Sequence, residues 1–291
     1  MSAYAAPMRL LTALVLTFAA CDSESAAPTQ ASVAYVGDSI AFETSSVIAE
    51  ALADHDLRYT TSAKGGMAIC DYLPETEAVG GPGTFRTFEA PVPPNLHDLL
   101  VSAQPDVVVM QFWGNSWQFT PCMKGPDDVA LAPGSEAYYT RYAADAERAM
   151  VVIRDAAASV KRPMPIVLWV LQGPDKGMPE RTARLDAIYA ALSDRWDSAG
   201  TIDAGREVSQ AANYYEPGDR YGYSQWLPCT ALERETDHCN PAYGGTAQIH
   251  KDDDPIHFCL GAVDASGVCD TWSPGIHRYA LAISAAIVDE L

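Results

Sequence analysis

Cationic residues are scarce in this sequence. Its 291 residues include 19 Lys and Arg against 38 Asp and Glu, which gives a formal net charge of −19. Proteins bind nucleic acids and anionic membrane surfaces largely by neutralising phosphate charges with Lys and Arg. The charge balance therefore argues against both kinds of partner, although it carries no information about the fold. We expect the acidic side chains to form a solvated surface.

Long apolar runs are also scarce. Residues 10–20 form one that has the length of a signal peptide and is too short to span a bilayer, and no later run is long enough to do so. The run ends with Phe18, two alanines and Cys21, which resembles a bacterial lipobox, although Leu is usual where Phe18 stands. The sequence predicts a signal peptide at residues 1–20, a flexible tether at 21–30 and an exported protein. Lipidation of Cys21 would anchor it at the cell envelope, whereas ordinary signal cleavage would release it.

The sequence contains no Cys-x-x-Cys pair, and all the spacings between its cysteines are wide. Six cysteines remain when Cys21 is set aside, and an even number in an exported chain indicates disulfides. Metal ligation is the alternative, and the wide spacing disfavours it. Short loops favour the pairs Cys229–Cys239 and Cys259–Cys269, which leaves Cys70–Cys122.

Strand-like and helix-like segments alternate along the chain. The pattern predicts strands at 33–36, 57–61, 107–112, 166–171 and 201–204, and helices at 43–54, 95–103, 135–159, 180–198 and 276–291. The third strand is apolar throughout, as expected for a parallel strand covered on both faces. We therefore predict a three-layer α/β/α sandwich with a mainly parallel sheet, forming one domain over residues 31–291. An aromatic and cysteine-rich insertion around 208–250 is expected to form an ordered cap.

Ser39 stands where the first predicted strand gives way to the first predicted helix. Gly37 and Asp38 end the strand, so Ser39 lies near backbone N–H groups that have no partner inside the helix. The positive local field at a helix N-terminus would stabilise a developing oxyanion. The alternative is that Ser39 only caps the helix, since serine is a common N-cap residue.

Asp254 and His257 supply the groups that a serine nucleophile needs. A serine hydroxyl is a weak nucleophile until a base removes its proton, and a carboxylate usually orients that base. Asp and His three residues apart can provide both functions from a single loop. This loop precedes the last predicted helix, so it can fold back over the carboxyl edge of the sheet toward Ser39.

Two further motifs follow predicted strands. Gly65 and Gly66 come after the second strand, where adjacent glycines permit positive φ or close approach of the backbone to a ligand. A plain turn is the alternative for this pair. Asn115 follows the third strand, at the edge where open α/β sheets place their ligands.

Gly-Asp-Ser, Gly-Gly, Gly-Asn and Asp-x-x-His follow one another along nearly all of the mature chain and resemble the four blocks of the SGNH (GDSL-type) hydrolase family. The resemblance implies a flavodoxin-like fold with a five-stranded sheet of order 2-1-3-4-5. It implies that Ser39 is the nucleophile, His257 the general base and then acid, and Asp254 its orienting partner. The implied oxyanion hole consists of the Ser39 and Gly66 backbone N–H groups and the Asn115 side-chain amide. No metal or other cofactor is implied.

Two motifs depart from the family pattern. The third block is commonly Gly-x-Asn-Asp, whereas here Trp113 and Ser116 replace the first glycine and the aspartate. Asn115 is kept, so oxyanion binding would survive with a different pocket wall. The second block lacks its usual neighbours, so Gly65 could replace Gly66 as the donor.

Several aromatic and histidine residues have two interpretations each. Tryptophans near strand ends belong either to the core or to sugar-binding platforms: Trp113, Trp117, Trp226 and Trp272. Of these, we predict Trp113, Trp117 and Trp226 to contact the substrate. His250 with the acidic run 252–254 could bind a metal, but a solvated acidic turn is favoured. We expect His238 to be exposed between disulfide partners and His277 to be structural.

The combined pattern predicts an exported serine esterase that removes short O-acyl groups, such as acetyl, from a small-molecule or glycan ester. An acyltransferase acting on cell-envelope glycan would use the same acyl-enzyme. A lipase or lysophospholipase would need an apolar groove. A glycan-binding lipoprotein without activity is the fourth possibility, and it would not require Ser39, Asp254 and His257.

Overall fold

The central sheet has five strands, all parallel. A computed structural model describes residues 30–77, 95–210 and 222–291, so the predicted signal peptide, Cys21 and nearly all of the tether lie outside the described residues. The strands are β1 (Ser32–Gly37), β2 (Arg58–Ala63), β3 (Val107–Gln111), β4 (Ile166–Val170) and β5 (Ala199–Ile202). Their order is β2-β1-β3-β4-β5, which confirms the predicted topology.

Helices cover both faces of this sheet. They are α1 (Ser39–Ala53), α2 (Pro74–Glu77), α3 (Leu96–Ala103), α4 (Glu136–Ser159), α5 (Pro179–Ser193), α6 (Ala231–Glu235) and α7 (Pro274–Asp289), with 3₁₀ turns at Ile69–Tyr72, Ala204–Val208 and Pro241–Tyr243. Successive side chains of a strand point to opposite faces. Accordingly, Val33 and Tyr35 of β1 pack with α1 and α7, whereas Ala34 and Val36 pack with α3, α4 and α5. The fold is the predicted three-layer α/β/α sandwich.

One helix is shorter than predicted. The predicted helix at 180–198 ends at Ser193, because the N–H groups of Arg195 and Trp196 both turn back to the carbonyl of Leu192. The chain then enters β5 at Ala199, two residues earlier than predicted.

The described part of the predicted insertion is ordered by a small sheet and a disulfide. Its strands β6 (Trp226–Pro228) and β7 (Thr246–Gln248) pair antiparallel, and Cys229–Cys239 bridges the chain between them. A buried ion pair between Arg278 and Glu233, 2.7 Å apart, ties this region to α7. Residues 211–221 of the insertion lie outside the described residues.

The structure contains three disulfides, and their pairing is the one that short loops favour. Cys70–Cys122 joins the 3₁₀ turn after β2 to the segment after β3, and Cys259–Cys269 closes a loop before α7. Within the described ranges, no helix combines the length and apolarity that a membrane span requires.

Candidate active site

Ser39 is the first residue of α1, and Asp38, rather than Ser39, caps the helix. The Asp38 carboxylate accepts a hydrogen bond from the backbone N–H of Ile40, with an oxygen–nitrogen distance of 3.1 Å. The alternative that Ser39 only caps the helix is therefore wrong. Close packing fixes this turn, because a side chain at Gly37 would collide with the carbonyl oxygen of Gln111 on β3.

The three residues predicted to form a triad lie in one hydrogen-bonded chain. His257 Nε2 is 2.9 Å from Ser39 Oγ, and His257 Nδ1 is 2.8 Å from Asp254 Oδ2. The second oxygen of Asp254 accepts the backbone N–H groups of Ile256 and His257, each at 3.1 Å. The aspartate thus fixes the shape of its own loop and the orientation of the imidazole together.

The charges around His257 favour its protonated form. Burial alone would lower the pKa of His257, but its hydrogen bond to Asp254 and the carboxylates of Glu43, Asp254 and Asp38 together raise it above the ordinary value. The hydrogen bond from His257 holds the pKa of Asp254 well below its usual range. Asp254 is therefore ionised at neutral pH, which suits a group that orients a base and stabilises an imidazolium.

The glycine turn that carries one of the backbone amides predicted for the oxyanion hole passes beside Ser39. A methyl group at Gly65 would be 4.0 Å from Ser39 Cβ, so the glycine turn after β2 passes next to the serine. Gly66 is buried and has φ of +79°, a backbone conformation that strongly favours glycine. Within the described chain, neither the Ser39 N–H nor the Gly66 N–H donates to another protein atom.

Asn115 stands at the carboxyl end of β3 with its amide turned toward β1 and the glycine turn. Its Nδ2 donates to the carbonyl of Met67 at 2.8 Å, and it lies 3.4 Å from Asp38 Oδ2. One hydrogen of the Asn115 amide is thus in a short hydrogen bond to Met67, while the other makes a longer contact with Asp38.

Three tyrosines hold the backbone of the Asn115 loop, which we define as residues 112–115. Tyr138 and Tyr142 of α4 donate to the carbonyls of Gly114 (2.6 Å) and Asn115 (2.7 Å), and Tyr189 of α5 donates to that of Phe112 (3.0 Å). These residues were not predicted. Tyrosines at helical spacing look like core residues in a sequence, and a hydroxyl that meets a distant carbonyl leaves no local pattern.

Two buried carboxylates near His257 were also not predicted to be part of the site. Burial raises the pKa of both Asp38 and Glu43 to about 7. Asp38 accepts the backbone N–H of Trp113 as well as that of Ile40, and Glu43 accepts two backbone N–H groups of the loop that carries His257. For Glu43 a signal existed, because an acidic residue four positions after Ser39 falls on the same face of the helix.

His250 packs beneath the base. Its Nδ1 lies 3.1 Å from the carbonyl oxygen of His257, and its ring stacks on Tyr223 at 5.2 Å. Burial lowers the pKa of His250 to about 4, so the ring is neutral at ordinary pH and donates from Nδ1. The acidic residues Asp252 and Asp253 are exposed, as a solvated turn requires. No group of three His, Cys, Asp or Glu within the described residues is placed to hold a metal ion.

The predicted tryptophan platforms have different environments. Trp113 is only 5% exposed and packs in the core with the Arg181 guanidinium 5.8 Å from its ring centre, so the prediction that it forms a sugar platform is wrong. Trp117 is 46% exposed and remains a candidate platform, while Trp226 lies partly buried in β6. Trp272 stacks between His238, which is exposed as predicted, and His277 on the first turn of α7.

Comparisons with known proteins identify similarity only at the level of solved structures. No protein-family model and no curated protein matches the sequence. The fold is similar to a protein described as a GDSL-like lipase from Parabacteroides merdae, at 10% identity over 88% of this chain and 95% of that one, with a TM-score of 0.45. It is also similar to a family 3 carbohydrate esterase from Clostridium thermocellum, at 10% identity over 90% of this chain and 96% of that one, with a TM-score of 0.45. A third similar structure is the C-terminal catalytic domain of peptidoglycan O-acetyltransferase A from Streptococcus pneumoniae, at 12% identity over 89% of this chain and 94% of that one, with a TM-score of 0.39. Such identities do not transfer an activity, so function has to be inferred from the atoms of the site.

Proposed function

We propose that this protein is a serine ester hydrolase of the SGNH type that removes short O-acyl groups from a carbohydrate ester. The observation that carries the proposal is the continuous hydrogen-bonded chain from Ser39 Oγ through both ring nitrogens of His257 to Asp254. A protein that only bound glycan would have no need of a serine activated in this way.

The proposed reaction proceeds in two halves. Neutral His257 accepts the Ser39 proton at Nε2 while Ser39 Oγ attacks the ester carbonyl, and Asp254 stabilises the resulting imidazolium. The tetrahedral intermediate collapses to an acyl-enzyme, and the imidazolium returns the proton to the departing alcohol. Water, activated by the same imidazole, then releases the acid and regenerates Ser39.

The negative oxygen of the intermediate would be held by three donors. The N–H groups of Ser39 and Gly66 are two of them, since neither is committed within the described chain. The third would be the Asn115 amide, which would exchange its longer hydrogen bond, 3.4 Å to Asp38 Oδ2, for one to the oxyanion while it keeps the 2.8 Å bond to Met67. Preorganised donors of this kind supply a large share of catalysis in acyl transfer.

A carbohydrate substrate is supported by the exposed face of Trp117, two residues from Asn115. Aromatic faces at a protein surface offer apolar contact area to a sugar ring with little loss of conformational freedom. The three disulfides support export into an oxidising compartment. Lipidation of Cys21 would then keep the enzyme at the cell envelope.

The proposal predicts serine-dependent hydrolysis of p-nitrophenyl acetate that declines with butyrate and longer esters. Ser39→Ala should abolish turnover and labelling by a fluorophosphonate probe, whereas the control Ser46→Ala on the same helix should retain both. The base must be neutral and its pKa is raised, so activity should fall with decreasing pH along a limb centred above about 6.5.

The outcomes separate the alternatives. Turnover that rises with acyl length would identify a lipase. Probe labelling of Ser39 without hydrolysis, together with acyl transfer to an added oligosaccharide, would identify a transferase. Absence of both labelling and turnover in the wild type would overturn the proposal and leave a binding protein.

A further inference from the structure

The helix that carries the nucleophile contacts the base loop at two points one helical turn apart. We define the base loop as residues 254–259. Ser39 and Glu43 are four residues apart on α1 and therefore lie on the same face of the helix. Ser39 meets the imidazole of His257 through its hydroxyl. Glu43 meets the backbone directly after that histidine.

The Glu43 carboxylate is fully occupied by the base loop. It is 1% exposed, and its two oxygens accept the backbone N–H groups of Phe258 at 2.9 Å and Cys259 at 3.1 Å. A carboxylate that accepts hydrogen bonds at both oxygens cannot rotate without breaking one of them. The two peptide units that follow His257 are therefore fixed relative to α1.

Other contacts secure the base loop from the side away from Glu43. The Cys259–Cys269 disulfide joins it to the segment before α7, and His250 donates to the carbonyl of His257 from the opposite side. Neither the disulfide nor His250 bonds to the helix that carries Ser39, although Gly267 of the disulfide loop packs on Phe42 of that helix. Besides the Ser39–His257 contact, Glu43 thus supplies two hydrogen bonds that link α1 to the backbone of the base loop.

We propose that Glu43 is a positioning residue that holds the base loop against α1 and, through its negative charge, supports protonation of His257 during the reaction. This inference rests on the proposed serine esterase function of the same site. Glu43 does not contact Ser39 Oγ or the reacting ester; it acts through the backbone and the field at His257.

The charged groups around Glu43 indicate that it affects His257 through its charge as well as by placing the base loop. The titratable groups that face Glu43 are His257 and Asp254 of the base loop and Tyr35 of β1. Burial raises the pKa of Glu43 to about 7, which the charge of His257 opposes. The Glu43 carboxylate in turn helps to raise the pKa of His257. Removing the negative charge should consequently lower the pKa of His257.

The test compares Glu43→Gln with Glu50→Gln in the full chain. Glu50 lies on the same helix but is exposed, so its substitution removes an equal charge without touching the base loop. The first readout is the His257 pKa from NMR of protein labelled with ¹⁵N-histidine, with the His257 signal identified by its loss in His257→Gln. The second readout is kcat and KM for p-nitrophenyl acetate as a function of pH.

We expect Glu43→Gln to lower the His257 pKa and to move the acid limb of kcat/KM in the same direction, by about one pH unit. Misplacement of the base should also lower kcat by about 10-fold or more, with KM within about twofold. Glu50→Gln should match the wild type in every measurement. A merely structural role would lower stability and activity without moving the protonation of His257.

The proposal is overturned if Glu43→Gln and Glu50→Gln both leave the His257 pKa and the acid limb at their wild-type values. If the wild type hydrolyses no ester, the esterase function fails, while the His257 measurement still decides the role of Glu43. If Glu43→Gln does not fold, the wild-type amide protons of Phe258 and Cys259 decide it. They should shift together as Glu43 titrates, and shifts that do not change with pH would overturn the proposal.

Discussion

The two loops that carry Asn115 and His257 of the candidate active site have different principal anchors. The backbone carbonyls of the Asn115 loop are held by neutral hydroxyls, because Tyr138 and Tyr142 donate to them, while the Trp113 amide of this loop donates to Asp38. The base loop is held by a carboxylate, because Glu43 accepts its backbone N–H groups. The tyrosines therefore act as donors to carbonyls of the Asn115 loop, whereas Glu43 acts as an acceptor for amides of the base loop.

The difference lies in how each anchor responds to pH. Burial raises the pKa of Tyr138 and Tyr142 above the ordinary value, so those hydroxyls stay protonated throughout the physiological range. Burial brings the pKa of Glu43 to about 7, so that anchor changes charge near neutrality. The tyrosine anchors of the Asn115 loop should therefore be insensitive to pH, whereas the Glu43 anchor of the base loop should be sensitive to it.

We expect the largest effect from removing the charge of Asp254, the ionised carboxylate that orients His257. Asp254→Asn should lower kcat for p-nitrophenyl acetate by ~10⁴-fold, because an amide no longer fixes the required histidine tautomer or stabilises the imidazolium. The carbonyl oxygen of the new side chain can still accept the loop amides, so the fold should persist. The exposed neighbour provides the control, since Asp253→Asn should retain wild-type kcat. Equal activity of the two variants would remove Asp254 from the mechanism.

We expect the next largest effect from substitution of Asn115, whose loop is held by tyrosines. Asn115→Ala should lower kcat by ~100-fold or more, as expected for loss of one oxyanion donor, with the acid limb of the pH profile unmoved. The measurement is the pH dependence of kcat and kcat/KM alongside thermal unfolding of the same preparation. Unchanged kcat in a folded variant would exclude Asn115 from oxyanion stabilisation.

The fold and the triad could be predicted because their signals are local. Apolar runs such as that of β3 identify buried strands, and the short motifs at Ser39 and Asp254–His257 stand at the ends of regular elements. Parallel strands bring their carboxyl ends to one edge, so placement along the chain also predicts proximity in space. The hydrogen-bond distances among Ser39, His257 and Asp254 could not be predicted, because they depend on the conformations of the loops.

The partners of the anchors could not be predicted, because they are distant backbone atoms. Tyr189 contacts the carbonyl of Phe112 across 77 residues, and Glu43 contacts the amide of Phe258 across 215. The four-residue spacing from Ser39 places Glu43 on the helix face of the site, but neither pairing leaves a motif that identifies the backbone partner, since any residue supplies a backbone carbonyl or amide. Trp113 failed for a related reason: a tryptophan at a strand end is typical of both a platform and a core, and only packing decides between them.

We expect the smallest effect from a substitution that compares the tyrosine anchor of the Asn115 loop with the Glu43 anchor of the base loop. Tyr142→Phe removes the hydroxyl that donates to the Asn115 carbonyl and leaves that carbonyl without this donor, at a cost of about 1 kcal/mol in the free energy of unfolding. Tyr139→Phe on the same helix is the control, because the Tyr139 hydroxyl makes no hydrogen bond within the described residues. The decisive measurement is the acid limb of kcat/KM, which should stay at its wild-type position in Tyr142→Phe and move in Glu43→Gln. If the limb moved equally in both, its shift would report a general loosening of the site. The charge of Glu43 would then not be what distinguishes the base loop from the Asn115 loop.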